Sequence, residues 1–325
     1  FYKESVDLFK NLSNELNYNI LYSQRGQLTL AHSDATIRTF RMRAEVGKLC
    51  GTGIELVDRK QIQDIVPCLH MPEDARYPVL AGLWHPDGGL CRHDAVAWGY
   101  AARSAELGVE LHQRTEVTGL EVENGRIAAV NTNRGRVVGG HVIQAVAGMS
   151  SVIANMTGIR LPIRTYPLQA MVTQPLKPFL DPLVSSAGLH AYVSQTARGE
   201  LVIGGGSDPY ELYSTRSTLD LKENLIGHTL ELFPFLTNVR LLRQWSGIAD
   251  MTPDYSPIMG ESPVKNYWLD AGWGTYGFKA TPVSGKRMAE TIAREKVPEI
   301  LYPFRLERFK TFDLVNEMGA TAASH

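Results

Sequence analysis

Residues 270–285 read Asp270-Ala-Gly-Trp-Gly-Thr-Tyr-Gly-Phe-Lys-Ala-Thr-Pro-Val-Ser-Gly285. Three of these residues, Gly272, Gly274 and Gly277, fall within a short loop between an apolar strand and a helix that we expect to begin near Val283. Glycine tolerates a positive φ and lets the backbone approach a flat ligand closely. The N–H groups at the start of a helix favour negative charge. The stretch therefore predicts a loop that lies against a planar cofactor and donates hydrogen bonds to its electron-rich edge.

Lys279 follows Gly277 and Phe278 directly, so its ammonium group would point at whatever the loop faces. A lysine in a dry pocket is suited to binding a substrate carboxylate, because the charge interaction strengthens where water is excluded. The alternative is a tight turn with a solvated lysine, since glycine is also the common way to turn a chain. The remainder of the sequence decides between the two.

The composition bounds the possible partners. A chain of 325 residues with 44% hydrophobic residues can bury a large core, and a net charge of -1 gives no basic surface for nucleic acid. Cys50, Cys68 and Cys91 have no CxxC spacing, which argues against a disulfide scaffold or a zinc site, and we expect no metal. No run of about 18 apolar residues is present, so we expect no membrane span. A reducing, cytoplasmic setting fits best.

The chain alternates helices with β-rich regions. Residues 2–16 and 219–232 have helical spacing, whereas residues 70–92 contain several breakers and predict an ordered loop. Asp94 is the natural N-cap of the next helix, which places His93 just before its N-terminus. A β-rich region between residues 161 and 203 is expected to form one wall of a pocket.

A β-meander follows the helix after Asp94. We expect strands at 110–112, 116–122 and 127–132, with a hairpin turn at Asn124-Gly125. The apolar stretch 141–148 then predicts a buried parallel strand whose end, Ala147-Gly148, admits a ligand.

The order of these features resembles the FAD-dependent amine oxidases of the D-amino-acid oxidase and sarcosine oxidase superfamily. Within it, several motifs are similar to those of the β subunits of heterotetrameric sarcosine oxidases, over nearly the whole chain. These motifs are Arg92-His-Asp-Ala-Val-Ala-Trp-Gly99, Leu161-Pro-Ile163, Pro167-Leu-Gln-Ala170, His190-Ala-Tyr192, Arg243-Gln-Trp245 and Phe278-Lys-Ala-Thr-Pro282.

The resemblance implies a β subunit that binds FAD non-covalently and oxidises a secondary amino acid. It also implies that electrons pass to an FMN covalently bound to a histidine, which here is His93, at the interface with an α subunit. The partners would be α, γ and δ subunits, with folate as a one-carbon acceptor. A neutral imidazole is a competent nucleophile toward the flavin 8α-carbon. The alternative for His93 is a partly exposed histidine before a helix.

Other residues take roles from the same resemblance. Lys279 would pair with the substrate carboxylate, and His190 and Arg243 would lie near the FMN, although His190 is equally well a core strand residue. The backbone of Val117 would meet the FAD adenine. Ala147 and Gly148 would lie beside the dinucleotide, although Val117, Ala147 and Gly148 could equally be packing residues. Gly247 stands where single-chain sarcosine oxidases carry the cysteine that binds FAD, which is why we expect non-covalent FAD.

One family feature has no counterpart in the sequence. The family begins with a strand followed by G-x-G-x-x-G, whose backbone contacts the FAD pyrophosphate. Gly204-Gly-Gly206 follows a strand but opens no helix pattern, so it does not supply this motif. We therefore expect the chain to be a piece of a longer protein that lacks a segment of roughly 30 residues or more. We also expect it to bind FAD more weakly than the longer chain.

The fold expected is an α/β plus β fold of two domains, with an incomplete Rossmann-type FAD domain and a β-sheet-rich substrate domain. The FAD domain comprises residues 1–32, 93–160 and 255–325, and the substrate and interface domain is residues 33–92 and 161–254. The expected reaction is oxidative demethylation of sarcosine to glycine and a one-carbon unit. A related N-methylglutamate or proline dehydrogenase and a non-catalytic scaffold subunit are the alternatives.

Overall fold

The structure is a computed structural model that describes residues 1–315. Residues 316–325, which close the predicted FAD segment 255–325, lie outside the described residues. The helices are α1 Tyr2–Glu15, α2 Asp34–Leu49, α3 Arg59–Ile65, α4 His93–Glu106, α5 Ser150–Asn155, α6 Leu219–Leu232, α7 Gly277–Arg294 and α8 Arg308–Thr311. Short 3₁₀ helices span Ala147–Met149, Pro234–Asn238 and Glu299–Phe304.

The strands fall into one large sheet and three small ones. They are β1 Ser23–Gln24, β2 Gln27–Ala31, β3 Glu55–Val57, β4 Ala81–His85, β5 Gly89–Leu90, β6 Val117–Glu123, β7 Arg126–Thr132, β8 Gly135–Val137, β9 Val142–Gln144, β10 Arg164–Pro175, β11 Leu183–Ser186, β12 Ala191–Gln195, β13 Glu200–Ser207, β14 Leu241–Met251, β15 Ile258–Glu261 and β16 Tyr267–Ala271. The mixed α/β fold with a large sheet confirms the predicted fold class.

The large sheet separates the main core from a cavity. Its eight strands run in the order β14-β10-β13-β12-β11-β2-β4-β3. Side chains of successive strand residues point to opposite faces. On one face Met171, Val193 and Leu201 pack with Ile62 of α3 and Leu225 of α6. The other face lines a large cavity, so the sheet is the wall on which a site is built.

Strands β2 and β4 join distant parts of the chain in this sheet. β2 lies in residues 1–32, the first part of the predicted FAD domain, and pairs parallel with β11 and antiparallel with β4, because Leu28 and Leu30 complete the core of the large sheet. β4 lies in residues 70–92, where an ordered loop without strands was predicted, and that prediction was wrong. Its hydrogen-bond partners β2 and β3 are distant in sequence, and local pattern does not reveal them.

The small sheets carry the predicted meander and the parallel strand. β6, β7 and β8 form the meander, and both Asn124 and Gly125 have positive φ (51° and 74°), which confirms the hairpin turn. No strand forms at 110–112, where that prediction was wrong. β9 pairs parallel with β16, as predicted, but Ile143 at its centre is 49% exposed, so the expected burial was wrong. Among residues 1–315, β9 has a neighbour on one side alone.

Helices α1 and α7 pack together beside the cavity. The Glu4 carboxylate of α1 accepts hydrogen bonds from the Arg287 guanidinium of α7, with the closest pair of atoms at 2.7 Å. Helix α7 begins at Gly277 and not near Val283 as predicted, because Pro282 lies inside the helix and does not mark its start. Proline at this position removes one backbone hydrogen bond but leaves the preceding turn helical. Within residues 1–315, the helices are too short or too polar to cross a bilayer.

Candidate functional site

The large cavity has a volume of about 2890 Å³ and lies between the free face of the large sheet, α1 and the start of α4 and α7. Its lining includes the predicted site residues His93, His190, Arg243, Phe278 and Lys279. These residues come from four separate regions of the sequence, and the fold brings them to one cavity. A typical pocket for a drug-sized ligand measures about 300–1,000 Å³, so the cavity has room for a flavin and a small substrate.

Asp250, at the end of β14, forms hydrogen bonds with the backbone of the glycine-rich loop 272–277. Asp250 is 2% exposed, and its carboxylate accepts the N–H groups of Gly272 at 2.6 Å and Gly274 at 3.2 Å. Both glycines have positive φ, and a Cβ on Gly272 would lie 2.5 Å from Thr252 Cγ2. These two N–H groups already donate to Asp250, so they are not available to a cofactor. The donors left for a cofactor are those of the first turn of α7, which has no side-chain cap.

Asp270 holds the same loop from the end of β16. Its carboxylate accepts a hydrogen bond from Trp273 Nε1 at 2.6 Å and a short one from the hydroxyl of Ser284 in α7. Burial raises the pKa of Asp270, while these two hydrogen bonds lower it in part. Burial likewise raises the pKa of Asp250, against the lowering effect of the backbone N–H groups. Sequence reasoning missed both residues.

Lys279 is the third residue of α7 and is exposed to the cavity. Its ammonium nitrogen lies 4.1 Å from the ring centroid of Tyr276 and 4.5 Å from that of Tyr2. Its carbonyl accepts a hydrogen bond from Ser5 of α1. Aromatic faces attract a cation without neutralising it. The ammonium group thus lies over two aromatic rings inside the cavity.

His93 is the first residue of α4 and is exposed. Arg92, not Asp94, is the N-cap, so the predicted cap was wrong. Asp94 fails to cap because its carboxylate is engaged by the Arg92 guanidinium at 2.7 and 2.8 Å and by the N–H of Ala95. The hydrogen bond from Arg92 lowers the pKa of Asp94. This pair fixes the chain on both sides of His93 and leaves the imidazole accessible.

His190 and Arg243 lie on the sheet wall. His190 precedes β12 with a φ of 47°, and its carbonyl would be 2.2 Å from a Cβ on Gly205, so the two segments are in close contact. Arg243 is an exposed residue of β14, paired in register with Val172 of β10. An exposed guanidinium on this wall is suited to bidentate binding of phosphate or carboxylate.

The predicted dinucleotide residues lie away from this cavity. Val117 is paired with Thr132 in the meander, and it does not line the cavity, nor do Ala147 and Gly148. Gly148 is buried, and a Cβ there would lie 2.4 Å from Ile248 Cγ2 of β14. Close packing thus requires a glycine at position 148 whether or not a cofactor lies beside it.

The cavity also contains residues that the sequence patterns did not single out. Burial lowers the pKa of His85 at the end of β4, and the nearby charge of Lys279 lowers it further, against the effect of Asp87. Burial raises the pKa of Cys91 to about 11, which makes its thiol a poor nucleophile. His85 lies in the stretch predicted as a loop, and its place beside Lys279 depends on the pairing of β4 with β2.

The donor set of the cavity fits a flavin better than a metal. The uncapped first turn of α7 and the Lys279 ammonium group offer positive charge, as an electron-rich ring edge requires. Over the described portion of the chain, no group of three or more His, Cys, Asp or Glu side chains is arranged to hold a metal ion.

Comparison with known proteins identifies the family. The model of the FAD dependent oxidoreductases (DAO) matches residues 1–291. Sarcosine oxidase subunit beta of Arthrobacter sp is 40% identical over 324 residues, 100% of this chain and 80% of the relative. The protein of the same name from Rhodobacter capsulatus is 42% identical, with 100% and 78% covered.

Two solved structures have the same fold. L-proline dehydrogenase from P. horikoshii has a TM-score of 0.89 at 30% identity, with 97% of this chain and 83% of that chain covered. Glycine oxidase from Geobacillus kaustophilus has a TM-score of 0.84 at 20% identity, with 94% and 81% covered, and at this identity it supports the fold alone. The chain belongs to the FAD-dependent oxidoreductase family and is related within it to the β subunits of sarcosine oxidases.

Proposed function

We propose that this chain is the catalytic β-type subunit of a heterotetrameric sarcosine oxidase, which converts sarcosine to glycine and a one-carbon unit. The observation that carries the proposal is that Lys279 and His93 line the same cavity. It is supported by relatives named sarcosine oxidase subunit beta that match along the entire chain. Membership of an oxidoreductase family argues against a non-catalytic scaffold.

In this proposal the residues of the chain bind and orient the substrate. The Lys279 ammonium group, steered by Tyr2 and Tyr276, pairs with the substrate carboxylate. The first turn of α7 presents N–H groups and a partial positive charge toward the cofactor. When bound, non-covalent FAD would supply two-electron oxidation chemistry at the carbon next to the amine, and FMN would supply onward electron transfer to oxygen. Fixing the carboxylate at one end decides which carbon lies over the flavin.

His93 would hold the FMN through a covalent bond, because its imidazole is exposed at the start of α4 and flanked by the Arg92–Asp94 pair. His190 and Arg243 would contact this FMN from the sheet wall. The remaining partners are α, γ and δ subunits and a folate that accepts the one-carbon unit. Free Cys50, Cys68 and Cys91 are consistent with a cytoplasmic location.

The dinucleotide portion of FAD would bind outside the cavity, next to Val117, Ala147 and Gly148. This placement keeps the proposed division of the chain, with the FAD domain at 1–32, 93–160 and 255–325 and the substrate domain at 33–92 and 161–254. β2 is then a strand that the FAD domain contributes to the large sheet.

A related dehydrogenase of proline or N-methylglutamate is the second candidate function. The observation that favours it is the TM-score of 0.89 with L-proline dehydrogenase from P. horikoshii, at 30% identity. Both candidates use the carboxylate site at Lys279, and they differ in the size of the side chain and ring that the cavity must accept.

Mass spectrometry and turnover test the proposal together. The assembled protein is precipitated with acid and digested, and the peptide that contains His93 is examined for an FMN adduct. We expect the adduct in the wild type and in His112→Ala, whose histidine is exposed at a distance from the cavity lining, and its loss in His93→Ala. Turnover of sarcosine, proline and N-methylglutamate then separates the two candidates. A peptide without FMN, or no turnover of any of the three amines, would contradict the proposal.

A further inference from the structure

Asp250 is a buried carboxylate whose charge is balanced by backbone N–H groups alone. Its oxygens accept hydrogen bonds from Gly272 and Gly274, and its own carbonyl accepts a second bond from the Gly274 N–H at 3.1 Å. Among residues 1–315, no Lys, Arg or His side chain forms a salt bridge with it. A buried charge of this kind is costly unless hydrogen bonds satisfy it. Asp250 therefore binds the loop tightly, because without these N–H donors its buried carboxylate would have no hydrogen-bond partner.

The loop that Asp250 holds leads directly to Lys279. After Gly274 the chain turns through a Tyr276 N–H to Trp273 carbonyl bond of 3.0 Å and enters α7 at Gly277. Tyr276 is also the closer of the two rings that contact the Lys279 ammonium group. The position of this ring and of the first turn of α7 thus depends on where residues 272–274 lie.

Asp270 adds a second point of attachment. Its carboxylate joins Trp273 of the loop to Ser284 of α7, so it fixes the angle between the loop and the helix. Asp250 joins the loop to β14, whose Arg243, Trp245 and Met251 line the cavity wall. Between them, the two carboxylates tie the loop to the sheet and to the helix.

We propose that Asp250 and Asp270 are positioning residues that hold the loop 272–277 so that the Lys279 ammonium group meets the substrate carboxylate at a fixed place on the cavity wall. The inference rests on the proposed carboxylate role of Lys279. Neither aspartate is among the residues that line the cavity. Their effect is on the affinity for the carboxylate half of a ligand and not on the affinity for its amine half.

The test uses the assembled, flavin-containing enzyme and two small probes, acetate and methylamine. Binding of each probe is followed by the change in visible absorption of the bound flavin. We expect Asp250→Asn to raise the Kd of acetate about 4- to 10-fold, because moving two unit charges from about 4 Å to about 5–6 Å apart weakens their attraction by about a fifth to a third. The Kd of methylamine should stay within about twofold of wild type, because methylamine lacks the carboxylate that pairs with the Lys279 ammonium group.

Asp208→Asn is the matched control. Asp208 is also a buried carboxylate, 6% exposed, but it accepts hydrogen bonds from Gln169 at 2.5 Å and Thr218 at 2.8 Å, away from the loop. We expect it to leave both Kd values unchanged. Ser284→Ala removes one bond to Asp270 while both carboxylates remain, and it should raise the Kd of acetate by a smaller factor in the same direction. This milder variant keeps the test decisive if Asp250→Asn does not fold.

Two results would overturn the inference in distinguishable ways. If Lys279→Met binds acetate as tightly as wild type, the carboxylate role of Lys279 fails, and the inference fails with it. If Lys279→Met loses acetate binding while Asp250→Asn and Ser284→Ala behave like Asp208→Asn, the proposed function stands and the positioning role is refuted. An equal change in the Kd of acetate and methylamine would also refute it, because general loosening of the fold affects both probes.

Discussion

Replacing Arg308 with Met should cost about 3–5 kcal/mol in the free energy of unfolding, because it leaves a buried carboxylate without its cation. Arg308 is 0% exposed, and its guanidinium donates to both carboxylate oxygens of Asp254 at 2.7 and 2.9 Å. It also donates to the carbonyl groups of Ser256 at 2.8 Å and Phe304 at 3.0 Å. Each of these acceptors is left with a weaker partner or none.

The assay is denaturation by urea at pH 7, in which the midpoint and the slope give the free energy of unfolding. Arg305→Met is the control, since Arg305 forms an ion pair with Asp313, whose side chain is 64% exposed. Such a surface pair contributes about 0–1 kcal/mol. In the double variant Arg308→Met with Asp254→Asn, the loss should be smaller than the sum of the two single losses. Equal losses in Arg308→Met and Arg305→Met would refute the reasoning that burial makes the pair strong.

Three further changes have expected outcomes. Lys279→Met should lower kcat/KM for an amino-acid substrate about 100-fold, because the substitution removes a charge pair worth about 4 kcal/mol before solvent screening. Lys286→Met, on the exposed side of α7, should leave kcat/KM unchanged, and steady-state kinetics of both variants measures the difference. Gly272→Ala should destabilise the protein by more than about 1 kcal/mol, because Gly272 has a positive φ and a Cβ there would contact Thr252. Gly285→Ala, whose Cβ meets no atom within 4 Å, should instead stabilise α7 by up to about 1 kcal/mol. Thermal unfolding of each variant measures both effects. Burial lowers the pKa of His32 from 6.5, so its contribution to stability is present above about pH 6.5 and is lost as the pH falls toward the lowered pKa. The free energy of unfolding of His32→Asn should therefore depend less on pH in that window than that of the wild type, and an unchanged slope would contradict this.

Elements with local signals could be predicted from the sequence. Helix α6 has the predicted bounds 219–232. The parallel direction of β9 was also predicted. In each case the determining residues are close together in the chain or carry an apolar run.

Features that depend on distant partners were missed. β4 needs β2 and β3, and a Cβ at its Gly82 would lie 2.8 Å from Leu28 Cδ1, so a larger residue there would force Leu28 to shift. Local sequence does not reveal this contact. In the same way, residues 93, 190, 243 and 279 were selected through their motifs, but the cavity that contains them could not be derived from spacing. Asp250 was overlooked because its partner Gly272 is 22 residues away.

The three aspartates at 250, 254 and 270 differ in how their buried charge is compensated. This difference indicates that Asp250 and Asp270 serve to position the loop 272–277 and not to stabilise the fold. Asp254 is neutralised by Arg308: burial opposes its ionisation, but the hydrogen bonds from the guanidinium more than offset this and lower its pKa. Asp250 and Asp270 have no such cation among the described residues, and burial raises their pKa. Above the ordinary pKa of 3.8 their ionised forms therefore reduce the stability of the fold. A neutral hydrogen-bond acceptor would hold the same N–H groups at lower cost, but more weakly. The ionised carboxylates bind the loop more tightly but lower the stability of the fold. This compromise is expected for a loop that must hold one ammonium group in a fixed position within a wide cavity.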